Sequence, residues 1–232
     1  MLHFQPIKDL SHLIFPNLCI VCERELSRND QHLCAFCSAE LTPTNFHTYT
    51  EPSPMDKLFW GRVSVFSTYA HLYFEKGKTV QNVLFGLKYK NNQPVGTYFG
   101  AKIGERIQEM DKLKSLDAII PVPLHPKKEF IRGYNQSASI SKGICESTGI
   151  PLHPKLLRRT KHSQSQTKKD RFQRWENVSG IFSVHPSIKN FKHVALVDDM
   201  ITTGSTIEAM IHAIQQENPS ISISVITLAI AR

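Results

Sequence analysis

Residues 194–207 read VALVDDMITTGSTI: four apolar residues, two adjacent acids, then small hydroxylated residues around one glycine. A continuous apolar run of this length fits a strand buried on both faces. Residues 205–217 follow with Ile207, Met210, Ile211 and Ile214 at helical spacing. Strand, loop and helix in this order form the repeating unit of parallel sheets, whose ligands sit beyond the carboxyl ends of the strands. Asp198 and Asp199 are expected to emerge there, with residues 200–206 as the loop that feeds the helix.

That loop has the chemistry of an anion cradle. Free amides at the helix start, the hydroxyls of Thr202, Thr203, Ser205 and Thr206, and the close backbone approach that Gly204 permits all favour a phosphate. An acidic pair repels a phosphate unless a neutral part of the ligand lies between them. A ribose 5-phosphate satisfies both halves, with its phosphate in the cradle and its 2- and 3-hydroxyls on Asp198 and Asp199. An ordinary strand-to-helix loop explains the Thr residues as caps and the acids as dipole partners separately. It does not explain their uninterrupted order behind an apolar strand.

The remaining pattern alternates strands and helices. Residues 44–60 read as a linker and 62–72 as a strand pair or the start of a hairpin. Residues 77–110 read as helical with a break at 90–94, where Pro94 disfavours helix at the residue before it. A short buried strand at 117–121 runs into a proline-stiffened loop, followed by a helix over 135–148. Further strands are expected at 154–159, 181–184, 193–197 and 221–230. The predicted fold is α/β, a mostly parallel sheet flanked by helices, over residues 51–232.

Residues 1–50 form a separate prediction. Cys19-Ile-Val-Cys22 and Cys34-Ala-Phe-Cys37 are two CxxC pairs separated by eleven residues. Each pair makes a knuckle that aims two thiolates at one point, and two knuckles complete a tetrahedral site for a structural Zn2+. Two disulfides would need an oxidising compartment, and a redox pair would not need a second copy. The metal would supply much of the folding energy of so small a module. Cys145, alone on a predicted helix, reads as a small buried side chain.

Charge is unevenly spread. The formal net charge is +8, but residues 1–50 hold three basic and five acidic side chains, so the rest carries +10. Residues 155–174 contribute eight Lys or Arg against one Asp, a solvated loop unless an anionic ligand faces it. The N-terminus has neither a basic leader nor a small-residue cleavage site, and no stretch approaches the roughly 20 apolar residues of a membrane span. A soluble, cytoplasmic protein is therefore expected.

On these residues the chain resembles the type I phosphoribosyltransferases, whose phosphoribosyl pyrophosphate (PRPP) motif is matched from Val194 to Thr206. Further motifs extend the likeness: the CxxC pairs, Leu87-Lys88-Tyr89, Ile120-Pro121-Val122-Pro123-Leu124-His125, Arg132-Gly133-Tyr134-Asn135-Gln136, Gln166-Thr167, Arg174 and Asn177. With them the chain is similar over nearly its whole length to the ComF family, GntX-type proteins included. The resemblance implies a zinc module fused to a phosphoribosyltransferase domain, with a role in DNA uptake during natural competence. It implies PRPP held with Mg2+ by Asp198, Asp199, Thr202, Thr203, Gly204, Ser205, Thr206, Lys88 and Arg132. It makes residues 123–136 the pyrophosphate loop and 161–177 the active-site loop, where Lys168, Lys169 and Arg171 join the two acids as catalytic candidates. The residues agree, since pyrophosphate needs cations and Lys127, Lys128, Arg132 and the basic segment supply them.

Three readings stay open at this level. A transferase would displace pyrophosphate from C1 of PRPP by a nitrogenous acceptor, with electrostatic assistance. A binding module would keep the cradle and use the basic segment for single-stranded DNA, with Tyr134, Phe172 and Trp175 as stacking platforms. An adaptor would dock its zinc module on a DNA-uptake or DNA-processing protein.

Overall fold

The computed structural model describes residues 16–28, 30–89, 92–160 and 181–232. Among them run, in order, α1 (Ala35–Ala39), α2 (Pro54–Lys57), β1 (Ser67–Phe74), α3 (Thr79–Tyr89), α4 (Gln93–Ile107), β2 (Ala118–Pro121), α5 (Pro126–Arg132) and α6 (Gln136–Thr148). There follow β3 (Leu157–Arg159), β4 (Phe182–Val184), β5 (His193–Ile201), α7 (Ser205–Glu217) and β6 (Ser222–Ala231). Short 3-10 turns lie at Phe46–Thr48, Asp111–Leu113 and Pro186–Asn190.

Among the described residues, four strands form one sheet in the order β1-β6-β5-β2, every neighbouring pair parallel. A parallel sheet covered on both faces needs apolar residues throughout. Accordingly Val194 to Val197 and Ile223 to Ile230 are buried without interruption. Because the strands are parallel, their carboxyl ends share one edge of the sheet, and the expected crevice lies there. β3 and β4 form a separate antiparallel pair. Thr160 N donates to Ile181 O at 2.8 Å, joining the two described residues that flank positions 161–180.

Helix α6, which brings the loop at 122–137 to the crevice, is placed by glycines. Gly96, Gly100 and Gly104 recur every fourth residue along α4, and α6 presses on that stripe. A Cβ on Gly100 would fall 2.0 Å from Ile140 O, and one on Gly143 2.0 Å from Thr97 O. The helices thus meet backbone to backbone. Asn135 caps α6, its side chain accepting from Ser137 N at 3.0 Å, and Gly149 closes it at φ +77°.

Several elements differ from the sequence expectation. Residues 44–60 are packed rather than a free linker: Ser53 and Asp56 form a capping box on α2, and Phe46, Met55 and Phe59 are buried. The turn formers there serve as caps. No hairpin starts at 62–72. β1 pairs with β6, and its other edge is bridged by Pro43 opposite Leu72. The proline-stiffened loop after β2 contains α5, a short helix that buries none of its side chains. Finally, β5 continues past Val197, pairing Asp198 with Thr227 and Ile201 with Ile230.

The four cysteines belong to the same apolar cluster as the sheet. Ile20, between the first two, lies against α3 so closely that a Cβ on Gly86 would fall 2.5 Å from Ile20 Cδ1. Glycine inside a helix costs about 1 kcal/mol relative to alanine. Here it leaves the slot in which the first knuckle seats. No helix among the described residues is long and apolar enough to cross a membrane.

Candidate functional site

The extension of β5 decides where the acids lie. β2 stops opposite Val197, with Val122 N donating to Val197 O at 2.8 Å, whereas β6 accompanies β5 to its end. At Asp198 the strand has therefore lost its β2 neighbour while keeping β6. Successive side chains of a strand point to opposite sides, and the two acids have different partners. Ser137 Oγ, from the first turn of α6, donates to Asp198 Oδ1 at 2.9 Å, and Asp199 N donates to the same oxygen at 2.9 Å. Asp199 Oδ2 meets Lys88 Nζ, near the end of α3, at 3.0 Å. Burial, followed by the charge of Asp199, pushes the Asp198 carboxyl up to about 7. One acid is thus paired with a cation, and the other carries a charge that its surroundings disfavour.

The loop before α7 leaves the start of that helix open. Gly204 takes the left-handed conformation, φ +73°, and α7 starts at the next residue without a side-chain cap. The first amides of a helix have no intrahelical partner, and here no cap side chain competes for them. Thr202, Thr203, Ser205 and Thr206 are exposed while Ile201, Gly204 and Ile207 are buried, so the hydroxyls line the open side. Thr203 Oγ1 and Ser205 Oγ are 3.1 Å apart.

Around the acids, residues 132–137 brace one another. Arg132 Nη1 donates to Gln136 Oε1 at 2.8 Å, Gln136 Nε2 to Tyr134 O at 3.0 Å, and Asn135 Nδ2 to Val122 O at 3.0 Å. Tyr134 Oη donates to Leu87 O at 2.6 Å, tying this loop to α3 beside Lys88. Tyr134 is buried. It is thus a strut, which corrects its reading as a stacking platform: a ring spent on the interior offers no face to a base. Lys127 and Lys128 are exposed on α5.

Of the expected site residues, Asp198, Asp199, Lys88, Thr202, Thr203, Gly204, Ser205, Thr206 and Arg132 are brought to this edge by β5, α3, the loop before α7 and the end of α5. Lys168, Lys169, Arg171, Phe172 and Trp175 lie outside the described residues. Sequence reasoning missed Ser137, Arg62 and Arg159. Arg62 bonds Thr203 O and Ser205 Oγ. Arg159, at the end of β3, stacks over Phe182 at 5.6 Å, and the charge of Asp198 opposes the lowering of its pKa by burial. The RGYNQS run pointed towards Ser137; nothing local to Arg62 signalled its contacts.

The cysteine cluster is a second site. The sulfurs of Cys19, Cys22, Cys34 and Cys37 all lie within 4.8 Å of one another, and all four are free thiols. Cys22 Sγ and Cys34 Sγ are 3.7 Å apart, close to the edge of about 3.8 Å that follows for a tetrahedron with metal–sulfur bonds of about 2.3 Å. Cys34 N donates to Cys19 Sγ at 3.4 Å and Cys37 N to Cys34 Sγ at 3.5 Å, the amide-to-sulfur contacts that stabilise thiolates. Burial raises the Cys19 thiol, but the surrounding amides outweigh it and bring the pKa down to about 6. The donor set can hold one metal ion such as zinc.

Residues 145–232 match the family model described as phosphoribosyl transferase domain. Competence protein F of Haemophilus influenzae is 40% identical over 98 residues, 41% of this chain and 43% of that protein, so the alignment spans less than half of that relative. DNA utilization protein YhgH of Shigella flexneri is 23% identical over 196 residues, 82% of this chain and 80% of that one. Competence protein ComFC of Bacillus subtilis is 22% identical over 216 residues, covering 91% and 83%. Among solved structures, the Bacillus subtilis glutamine phosphoribosylpyrophosphate amidotransferase complexed with ADP and GMP aligns at 18% identity and a TM-score of 0.38, over 56% of this chain and 25% of that one. The chain is thus similar in its C-terminal part to the phosphoribosyl transferase domain, and over most of its length to proteins named for DNA utilization and competence.

Proposed function

We propose that the carboxyl edge of the sheet binds PRPP or ribose 5-phosphate, and that the chain serves DNA uptake in natural competence. The observation that carries the ligand reading is the continuity of Asp198 and Asp199 with the uncapped start of α7. A ligand is wanted that is a diol at one end and a phosphate at the other. The competence names of the relatives support the role in DNA uptake.

In this reading the phosphate occupies the amides and hydroxyls of residues 202–206, and the two carboxylates orient the ribose hydroxyls. Lys127, Lys128 and Arg132 lie along the loop assigned to pyrophosphate. Mg2+ would arrive with the pyrophosphate and neutralise part of its charge. Transfer, where it occurs, forms a bond from an acceptor nitrogen to C1 as the C1–oxygen bond to pyrophosphate breaks, and the acceptor loses its proton to solvent. The chain's own contribution is positioning and electrostatics. Lys168, Lys169 and Arg171 are assigned to neutralising the leaving group. Residues 1–50 and 51–232 are assigned as module and domain, and the four cysteines hold Zn2+ as a structural ion. Single-stranded DNA and a DNA-processing protein are the proposed macromolecular partners, the latter at the module, where Phe36 is exposed. Titration of PRPP with Mg2+ into the wild type and an Asp198→Asn/Asp199→Asn variant tests the ligand reading.

A further inference from the structure

Arg62 stands in the stretch between α2 and β1, outside every motif of the sequence, yet it contacts the loop before α7 and the first turn of that helix at three points. Its Nη1 donates to Thr203 O at 2.6 Å and to Leu58 O at 3.0 Å. Its Nη2 lies 3.4 Å from Ser205 Oγ and forms an ion pair with Glu208 in the first turn of α7. Phe59, one turn before Arg62, completes the floor: a Cβ on Gly204 would fall 3.1 Å from its ring and 3.8 Å from Arg62 Nη1. The side of the loop facing α2 is therefore closed.

The peptide unit between Thr203 and Gly204 is planar and trans, so its carbonyl and its N–H point in opposite directions. With the carbonyl held by Arg62, the Gly204 N–H is turned to the open side, where the hydroxyls of residues 202–206 are. Ser205 Oγ can accept from Arg62, which leaves its proton to donate outward. The planar fork of a guanidinium is suited to several acceptors at fixed angles, and a lysine ammonium is not. Glu208 balances the charge of Arg62, so the arrangement acts chiefly through geometry.

We propose that Arg62 is the positioning residue of the phosphate cradle, turning the Gly204 amide and the Ser205 hydroxyl towards the ligand phosphate; this rests on the ribose phosphate reading above. The test compares wild type, Arg62→Met and Arg62→Lys by calorimetric titration of ribose 5-phosphate and, separately, inorganic pyrophosphate, both with Mg2+. Arg62→Met is expected to weaken ribose 5-phosphate at least about tenfold while pyrophosphate, assigned to the loop at 123–136, changes less than about twofold. Arg62→Lys keeps the charge and recovers only part of the loss; it also serves if the methionine variant fails to fold. Unchanged ribose 5-phosphate affinity in a folded variant overturns the proposal, and so does an equal loss for both ligands, which would mark a general structural role. A wild type that takes no ribose 5-phosphate overturns the underlying reading, and this inference with it.

Discussion

At Asp198 the burial that raises the carboxyl pKa to about 7 works against folding at neutral pH. The folded-state pKa lies above the ordinary 3.8, so below about pH 4 the group is protonated in both states and the cost vanishes. The cost grows as pH rises and is complete above about 7. Asn keeps an oxygen to accept from Ser137 Oγ and Asp199 N without the charge. Asp198→Asn is therefore expected to be more stable than wild type at pH 8 by roughly 1 kcal/mol or more, which is about 2–4 °C in Tm for a chain of this size. The difference should shrink towards pH 4. A variant melting at or below wild type at pH 8 would show that the carboxylate is not strained. The same substitution should weaken ligand binding, the opposition expected where a buried charge is kept for function.

Elements made of contiguous residues were legible in the sequence; contacts between distant elements were not. Residues 194–206 announce strand, acids and cradle because the chemistry is local. The paired CxxC motifs were legible for the same reason. Ser137 and Asp198 are 61 residues apart and Arg62 and Thr203 141 apart, and no period or spacing records such pairs. Tyr134 was misread because an aromatic ring among Arg and Asn looks the same whether it faces solvent or Leu87 O. The glycines of α4 are a signal of another kind, since Gly at every fourth position marks a helix face approached by another backbone. Gly100→Ala forces its Cβ to within 2.0 Å of Ile140 O, and a main-chain atom cannot step aside as a side chain can. A loss of about 3 kcal/mol is expected on denaturant titration. A loss under about 1 kcal/mol would mean that α4 and α6 separate easily, and that α6 is not a rigid mount for Ser137.

Over the whole molecule, the cysteine module and the sheet share one apolar cluster, with Ile20 seated at Gly86 two residues before Lys88, the partner of Asp199. The metal is thus expected to matter for the stability of the fold as a whole. Protein prepared without chelator should carry about one equivalent of zinc by elemental analysis, and Cys22→Ser should lower yield and Tm. Less than half an equivalent, or thiol titration showing two disulfides, would contradict the assignment.

The central claim is that the carboxyl edge of this sheet is a site for a phosphorylated ribose. Calorimetric titration of PRPP with Mg2+ into the wild type and the Asp198→Asn/Asp199→Asn variant tests it most directly. Saturable one-to-one binding is predicted for the wild type, weakened at least about tenfold in the variant. Equal affinity in the two proteins, or no binding to a folded, metal-loaded wild type, would contradict it.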